Sequence, residues 1–181
     1  MGVVSPDDFI SVAEETGMII PIGQWILTEA CKQLSTWQKS VSRDLSVSVN
    51  LSAKQLMHPT LISQIQNILR STGLKSQNLK LEVTESTVME HSERSLSVLK
   101  RLSAMGVALS TDDFGTGYSS LSYLQEFPFN RIKIDRSFIN KMNCDDKSGA
   151  IVRTILILAS NLGLDAVAEG IETETQLAEL R

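Results

Sequence analysis

From residue 45 onward, the chain alternates short runs rich in β-branched residues with amphipathic stretches of about a dozen residues. Strands that are joined by helices pair in parallel, and a parallel sheet must be covered by helices on its faces. The alternation therefore predicts an α/β fold. Five runs are typical of strands: Leu45–Asn50, Leu79–Thr84, Val107–Thr111, Arg131–Asp135 and Asp165–Ala168.

The segments between the strands have the apolar period of a helix, most clearly over Thr60–Ser71. Helices are also predicted at Pro6–Glu15, at Gln24–Trp37 and from Thr173 to Arg181. Three glycines follow such stretches, as expected where a helix ends in a left-handed residue: Gly73, Gly106 and Gly163. Five strands in 181 residues suit either a small open sheet or part of an eight-stranded barrel, which typically needs ~250 residues.

Composition and charge exclude several classes of protein. The chain has 42% apolar and 21% charged residues, which is the balance of a globular domain. A net charge of -4 gives no basic field for a nucleic-acid polymer. No apolar stretch approaches the ~20 residues of a membrane span, and the N-terminus does not resemble a signal peptide. We expect a cytoplasmic domain in which Cys31 and Cys144 are reduced thiols. This expectation is compatible with a membrane anchor elsewhere in the parent protein.

Polar side chains lie at the carboxyl ends of all five predicted strands. In parallel α/β folds this edge of the sheet brings side chains from successive strands into one place, where substrates bind. We therefore expect the polar residues to form a single site. They are Asn50 at the end of the first strand, Glu82 in the second, Asp112 and Asp113 after the third, Lys133 in the fourth and Glu169 after the fifth.

Several carboxylates in one place repel each other, by roughly 4 kcal/mol per close pair. Oxygen ligands without thiolate or imidazole favour Mg2+ or Mn2+ over zinc, and the adjacent carboxylates of Asp112 and Asp113 suit two bridged ions. Paired divalent ions commonly hydrolyse phosphodiesters, with Lys133 placed to stabilise charge or to hold the attacking water. Taken singly, an Asp-Asp pair after a strand is more often a solvated turn. The joint placement of these residues favours a site.

The segment DDFGTGYSSL, at Asp112–Leu121, resembles a signature of EAL domains, the cyclic di-GMP phosphodiesterases of bacterial signalling. Shorter segments resemble the same family: SVNLSAKQL at Ser48–Leu56, LEVTES at Leu81–Ser86, KIDRSF at Lys133–Phe138 and AEGIET at Ala168–Thr173. The segment Val4–Leu27 looks like the early helices of the family. The resemblance thus covers essentially the whole chain, with residues 1–181 as one partial EAL domain.

The resemblance implies a (β/α)8 TIM-like barrel, which is incomplete here because the first and last strands are missing. It also implies the hydrolysis of cyclic di-GMP to linear pGpG with two Mg2+ or Mn2+ ions. It implies metal ligands at Asn50, Glu82, Asp112, Asp113 and Glu169. It implies catalytic roles for Lys133, Glu169, Asp135 and Glu172. Glu85 resembles the glutamate that anchors the loop beginning at Phe114, which the family ties to metal binding and dimerisation.

The chain departs from the family pattern in a few places. Thr111 stands where the family usually has an apolar residue, which we expect to matter little. The glutamate-x-leucine motif that names the family would precede Val4, and a last strand with a Gln-Gly-Tyr-like segment would follow Arg181. Without these strands, both edges of the sheet are unpaired. We expect this chain to be marginally stable, strand-swapped with a partner or partly rearranged, and a compact stable monomer would contradict that expectation.

Two other functional classes are open to this sequence. The first is a binding module, which acts as a cyclic di-GMP receptor or dimerisation platform without turnover. The missing glutamate favours this class for the chain, whereas the retained site residues favour an enzyme in the parent protein. Schiff-base chemistry at Lys133 is disfavoured, because the surrounding carboxylates hold a lysine charged. The resemblance implies a homodimer, and sensory or cyclase domains in the parent protein. The unpaired edges make a strand-swapped oligomer the other expectation.

Overall fold

A computed structural model describes residues 2, 4–41, 44–116, 121–142 and 146–180 of the protein. Five strands form one sheet, in which every neighbouring pair is parallel and the order follows the chain. This is the arrangement of consecutive βα units in an incomplete TIM-like barrel, which confirms the predicted α/β class. The strands are β1 (Val47–Asn50), β2 (Leu79–Thr84), β3 (Ala108–Phe114), β4 (Arg131–Ile134) and β5 (Asp165–Ala168).

Helices connect the strands and pack against the sheet. They are α1 (Pro6–Thr16), α2 (Ile19–Ser40), α3 (Ala53–Leu56), α4 (Leu61–Thr72), α5 (Glu85–Glu90), α6 (Ser92–Ala104), α7 (Leu121–Glu126), α8 (Arg136–Lys141), α9 (Asp146–Leu162) and α10 (Glu174–Glu179). The predicted helices lie within or close to α1, α2, α4 and α10. Helix α2 begins earlier than Gln24 because Ile19 and Gly23 are buried, while Pro21 lies in the first turn, where its missing N–H is no loss.

The two faces of the sheet differ in polarity because side chains alternate along each strand. One face carries the apolar residues Leu81, Leu109 and Ile132, each at most 1% exposed. The helices cover this face and complete the core. The other face carries polar residues such as Glu82 and Lys133. The candidate site therefore lies on the face of the sheet opposite the helix-covered core.

Three helix ends follow the predictions. The predicted left-handed glycines Gly73, Gly106 and Gly163 have φ of 67°, 83° and 70°.

Cys31 is fully buried in α2, and burial raises the pKa of its thiol to about 11. Cys144 and the segment 117–120 of the DDFGTGYSSL motif lie outside the described residues. Among the helices that are described, none has the length and apolar character needed to cross a membrane.

The third strand differs most from its prediction. It continues past Thr111 to Phe114, so Asp112 and Asp113 lie inside β3 instead of following it. Phe114 is 3% exposed and is the last residue of the strand, not the start of a loop. The difference matters because Asp112 pairs with Thr84 of β2, and this pairing fixes its position beside the neighbouring strand.

Candidate functional site

Lys133 lies at the centre of the predicted site. Its Nζ atom is 2.7 Å from Glu82 Oε2, 2.9 Å from Asp112 Oδ1 and 2.6 Å from Glu169 Oε1. These acids come from β2, β3 and the residue after β5, and Lys133 comes from β4. Four successive strands therefore bring their side chains together, as predicted from their carboxyl ends.

Burial makes this cluster electrostatically strong. The side chains of Lys133, Glu82 and Asp112 are only 11–13% exposed, and that of Glu169 is 34% exposed. Burial alone would lower the pKa of Lys133, but hydrogen bonds to Glu169, Glu82 and Asp112 outweigh it and raise the pKa above its ordinary value. Lys133 is therefore a charged hydrogen-bond donor and not a neutral amine, which weighs against Schiff-base chemistry.

A β-bulge in β3 turns two consecutive aspartates toward the site. Thr111 pairs with Ile132 and Phe114 pairs with Ile134, so β3 has one more residue than β4 between these two pairs. Asp113 has a φ of 52°, in the left-handed region that aspartate adopts more readily than most residues. In a regular strand, neighbouring side chains would point to opposite faces. The bulge allows both carboxylates to face the same side.

The carboxylates of Asp112, Asp113 and Glu169 form a group suited to a cation. One oxygen of each lies within 4.8 Å of the others. Burial and the neighbouring carboxylates of Asp112, Asp135 and Glu169 raise the pKa of Asp113, against the opposing effect of Lys133. The single lysine thus does not balance the negative charge of this group. Hard oxygen donors with surplus negative charge fit a divalent cation.

Glu85 and Asp135 flank the site and contact backbone groups. Glu85, the first residue of α5, is 3% exposed, and its Oε2 atom accepts a hydrogen bond of 3.4 Å from the N–H of Gly115. This contact places Glu85 against the segment that follows β3. Asp135 caps α8 by accepting a bond of 2.9 Å from the Ser137 N–H. Burial opposes ionisation of Asp135, but hydrogen bonds from Ser137 and Arg136 outweigh it and lower the pKa.

Two of the predicted site residues have exposed side chains. Asn50 ends β1 in register with Glu82, and its side chain is exposed. Glu172 is also exposed, and its backbone N–H donates a hydrogen bond of 2.7 Å to Gln176. The roles predicted for Asn50 and Glu172, like those of the other predicted site residues, stay predictions. Thr111 is 2% exposed on the opposite face of β3.

A charged pair next to the site was not predicted from the sequence. Arg131 Nη2 on β4 lies 2.8 Å from Asp165 Oδ2 on β5. Arg131 precedes Lys133 by two residues and Asp165 precedes Val167 by two, but the register that sets Arg131 opposite Asp165 does not follow from these spacings. Residues at these spacings share one face of a strand.

Comparisons with known proteins point to one family. The EAL domain family matches the chain over residues 1–181. The bifunctional diguanylate cyclase/cyclic di-GMP phosphodiesterase MucR of Pseudomonas aeruginosa is 48% identical over 175 residues, covering 97% of this chain and 26% of its own length. The cyclic di-GMP phosphodiesterase NbdA of the same organism is 41% identical over 180 residues, covering 99% and 23%.

A solved structure shows the same architecture. The structure of the PaMucR phosphodiesterase in complex with c-di-GMP superposes with a TM-score of 0.95 at 47% identity, and the match covers 99% of this chain and 72% of that one. The chain spans about a quarter of the length of the curated relatives it matches. The match over residues 1–181, the high identity and the shared fold establish that the chain belongs to the EAL domain family.

Proposed function

We propose that this chain is a metal-dependent phosphodiesterase domain that hydrolyses cyclic di-GMP to the linear dinucleotide pGpG. The observation that carries the proposal is the site itself, in which Lys133 pairs with three carboxylates beside the group formed by Asp112, Asp113 and Glu169. Relatives that are named as cyclic di-GMP phosphodiesterases at 38–48% identity support the choice of substrate.

The metal ligands are proposed from the resemblance and from the donor atoms. Asp112, Asp113 and Glu169 would hold one divalent ion, and Glu82 and Asn50 would complete a two-ion site for Mg2+ or Mn2+. Such ions, when bound, supply Lewis-acid chemistry, which polarises phosphate oxygens and acidifies water. The surplus negative charge around Asp113 supports this assignment, since it favours a cation.

The side chains of the chain itself then orient the reactants. Hydrolysis joins a water oxygen to phosphorus and breaks one bond from phosphorus to a ribose oxygen. A proton that the water gives up ends on that ribose oxygen, which leaves as a hydroxyl group, so that the ring opens. Lys133 stays protonated and donates hydrogen bonds, either to the phosphate, where negative charge develops, or to the attacking water. Glu82 and Asp112 hold the ammonium group in place. We propose that Asp135 and Glu172 border this centre, and that Glu85 steadies the segment after β3 through Gly115.

The partners of the whole protein are proposed from the relatives. MucR is named as both a cyclase and a phosphodiesterase, and a further relative, at 40% identity, is the oxygen sensor protein DosP of Escherichia coli. We infer that a longer parent of this chain carries cyclase or sensory domains. We also infer a homodimer, because the family ties the segment after Phe114 to dimerisation.

The test is a turnover assay with cyclic di-GMP and either Mg2+ or Mn2+, with the products separated by chromatography. We expect linear pGpG from the wild-type chain and a rate at least about 100-fold lower from Asp112→Asn, which keeps the shape of the side chain but removes a charged ligand. Asp8→Asn is the matched control, because Asp8 is exposed in α1 and lies outside the site. It should retain the wild-type rate.

Two results would contradict this proposal, the first by excluding turnover and the second by excluding the assigned site. If no product forms and calorimetry detects cyclic di-GMP binding, the chain acts as a receptor. If Asp112→Asn turns over like the wild type, then the hydrolysis does not depend on this carboxylate cluster.

A further inference from the structure

The fifth strand is an outer strand of the sheet, so it holds its site residue less securely than the inner strands β2, β3 and β4 hold theirs. Of the described residues, only those of β4 pair with β5. Asp165 and Ala166 are exposed, whereas β2 is buried along most of its length. Glu169, the residue directly after β5, must nevertheless place its carboxylate within 2.6 Å of Lys133 Nζ.

The position of Glu169 depends on the register of β5 against β4. Arg131 lies opposite Asp165 and Lys133 lies opposite Val167, while the Glu169 N–H donates to the Ile134 carbonyl at 3.2 Å. A shift by one residue would turn every side chain of β5 to the other face. Glu169 would then point away from Lys133.

A charged pair joins the two strands on the face of the site. Arg131 and Asp165 are directly opposite each other, and their side chains are 2.8 Å apart. The Nε atom of Arg131 is buried and has no hydrogen-bond partner among the described residues. The same row across the sheet contains Asn50 and Glu82, so the pair lies level with two proposed metal ligands.

We propose that Arg131 and Asp165 are a positioning pair, which fixes the register of β5 and thereby holds Glu169 in the site. Neither residue touches the substrate in this proposal. Only the metal-binding part of the proposal rests on the proposed function. The pairing of the strands can be measured without it.

The test uses two measurements on the same variants of the 181-residue chain. The first is amide hydrogen exchange at Glu169, measured by NMR, because this N–H closes the β4–β5 ladder. The second is calorimetric affinity for Mn2+ alone. In Asp165→Asn and in Arg131→Gln, we expect exchange that is about twofold to fivefold faster and Mn2+ affinity that is weaker by a similar factor.

Two further variants separate positioning from general stability. The double variant Arg131→Asp, Asp165→Arg reverses the pair and should restore both measurements to within about twofold of the wild type. Glu29→Gln removes the surface pair Glu29–Lys32, which is also 2.8 Å long but lies on α2, and should change neither. Asp165→Asn, which preserves side-chain volume, decides the question if Arg131→Gln fails to fold.

The outcomes distinguish the two proposals. If the wild type does not bind Mn2+ but exchange changes in the single variants and is restored in the reversed pair, the positioning pair stands and the metal assignment fails. If both single variants match Glu29→Gln, the positioning pair is wrong. It is also wrong if the reversed pair restores neither measurement.

Discussion

At the scale of single residues, Asp113 is held in a backbone conformation that few side chains adopt. Its φ of 52° belongs to the bulge that points both aspartates into the site. The left-handed region costs a residue with a Cβ roughly 1–2 kcal/mol, and glycine avoids this cost. The backbone conformation of Asp113 thus lowers the stability of the folded chain locally, but it places the carboxylate in the site.

A pair of substitutions tests this cost. Asp113→Gly and Asp113→Ala both remove the carboxylate, but only alanine keeps the Cβ. We expect Asp113→Gly to be more stable than Asp113→Ala by about 1 kcal/mol in urea unfolding, with cation binding impaired in both variants. An alanine variant as stable as the glycine variant would contradict the left-handed backbone conformation of Asp113.

Lys133 provides a pH-dependent prediction. Its pKa in the folded chain is raised above the ordinary value of 10.5, so its stabilising contribution is complete below that pH and is lost as pH rises through the higher folded value. Because its carboxylate partners are largely buried, Lys133→Met should destabilise the metal-free chain by about 3 kcal/mol at pH 7.

The measurement is urea unfolding of the wild type and Lys133→Met in EDTA, from neutral to alkaline pH. The difference in unfolding free energy should stay constant up to about pH 10 and shrink above it. Lys75→Met, at an exposed position, is the control and should differ little from the wild type. A difference that grows at high pH would contradict the assigned ion pairs.

At the scale of elements, close packing of α2 on α3 fixes the segment after β1. A Cβ at Gly23 would overlap the side-chain amide of Gln55, which is 6% exposed. Gln55 is part of a capping box, in which its Oε1 atom accepts a bond of 3.2 Å from the Ser52 N–H. The short helix α3 therefore depends on a glycine in its neighbour.

Gly23→Ala should displace Gln55 and destabilise the chain by about 2 kcal/mol. In a Gln55→Ala background the same substitution should cost much less, because the overlapping group is gone. Thermal or urea unfolding of the four chains of this double-mutant cycle measures the difference. Equal costs in both backgrounds would show that Gln55 is not the obstacle.

The comparison of sequence and structure is clearest for β3. Its start follows from the apolar alternation that ends near Thr111, but the continuation to Phe114 does not, because a bulge interrupts the period of two on which the prediction relies. The convergence of Glu82, Lys133 and Glu169 was predictable, since the topology of a parallel sheet dictates which strand ends meet. The Arg131–Asp165 pair was not predicted, because it depends on the register between two strands, which sequence periodicity does not specify.

At the scale of the whole molecule, the sheet has two outer strands, β1 and β5, and neither outer edge is paired by any described residue. Large apolar side chains are also exposed on the helices, including Trp25 at 65% and Ile157 at 62%. Open strand edges and apolar patches both favour association. The predicted tendency to swap or associate thus has a structural basis, although it remains a prediction.

We expect the chain to show concentration-dependent association in gel filtration with light scattering. Ser48→Lys, which places a charge on β1, should weaken this association if the edge of β1 mediates it. Ser46→Lys is the matched control, because Ser46 is exposed just before the strand. A monomer at every concentration would contradict the prediction.

The central claim is that the carboxylates around Lys133 form a divalent cation site. Mn2+ binding, followed by electron paramagnetic resonance at neutral pH, tests it most directly. We predict two Mn2+ ions per wild-type chain, the same number in Asp8→Asn and fewer in Asp112→Asn, because Asp112 pairs with Lys133 and also belongs to the carboxylate group with Asp113 and Glu169. Failure of the wild type to bind Mn2+, or equal binding by Asp112→Asn, would contradict the claim.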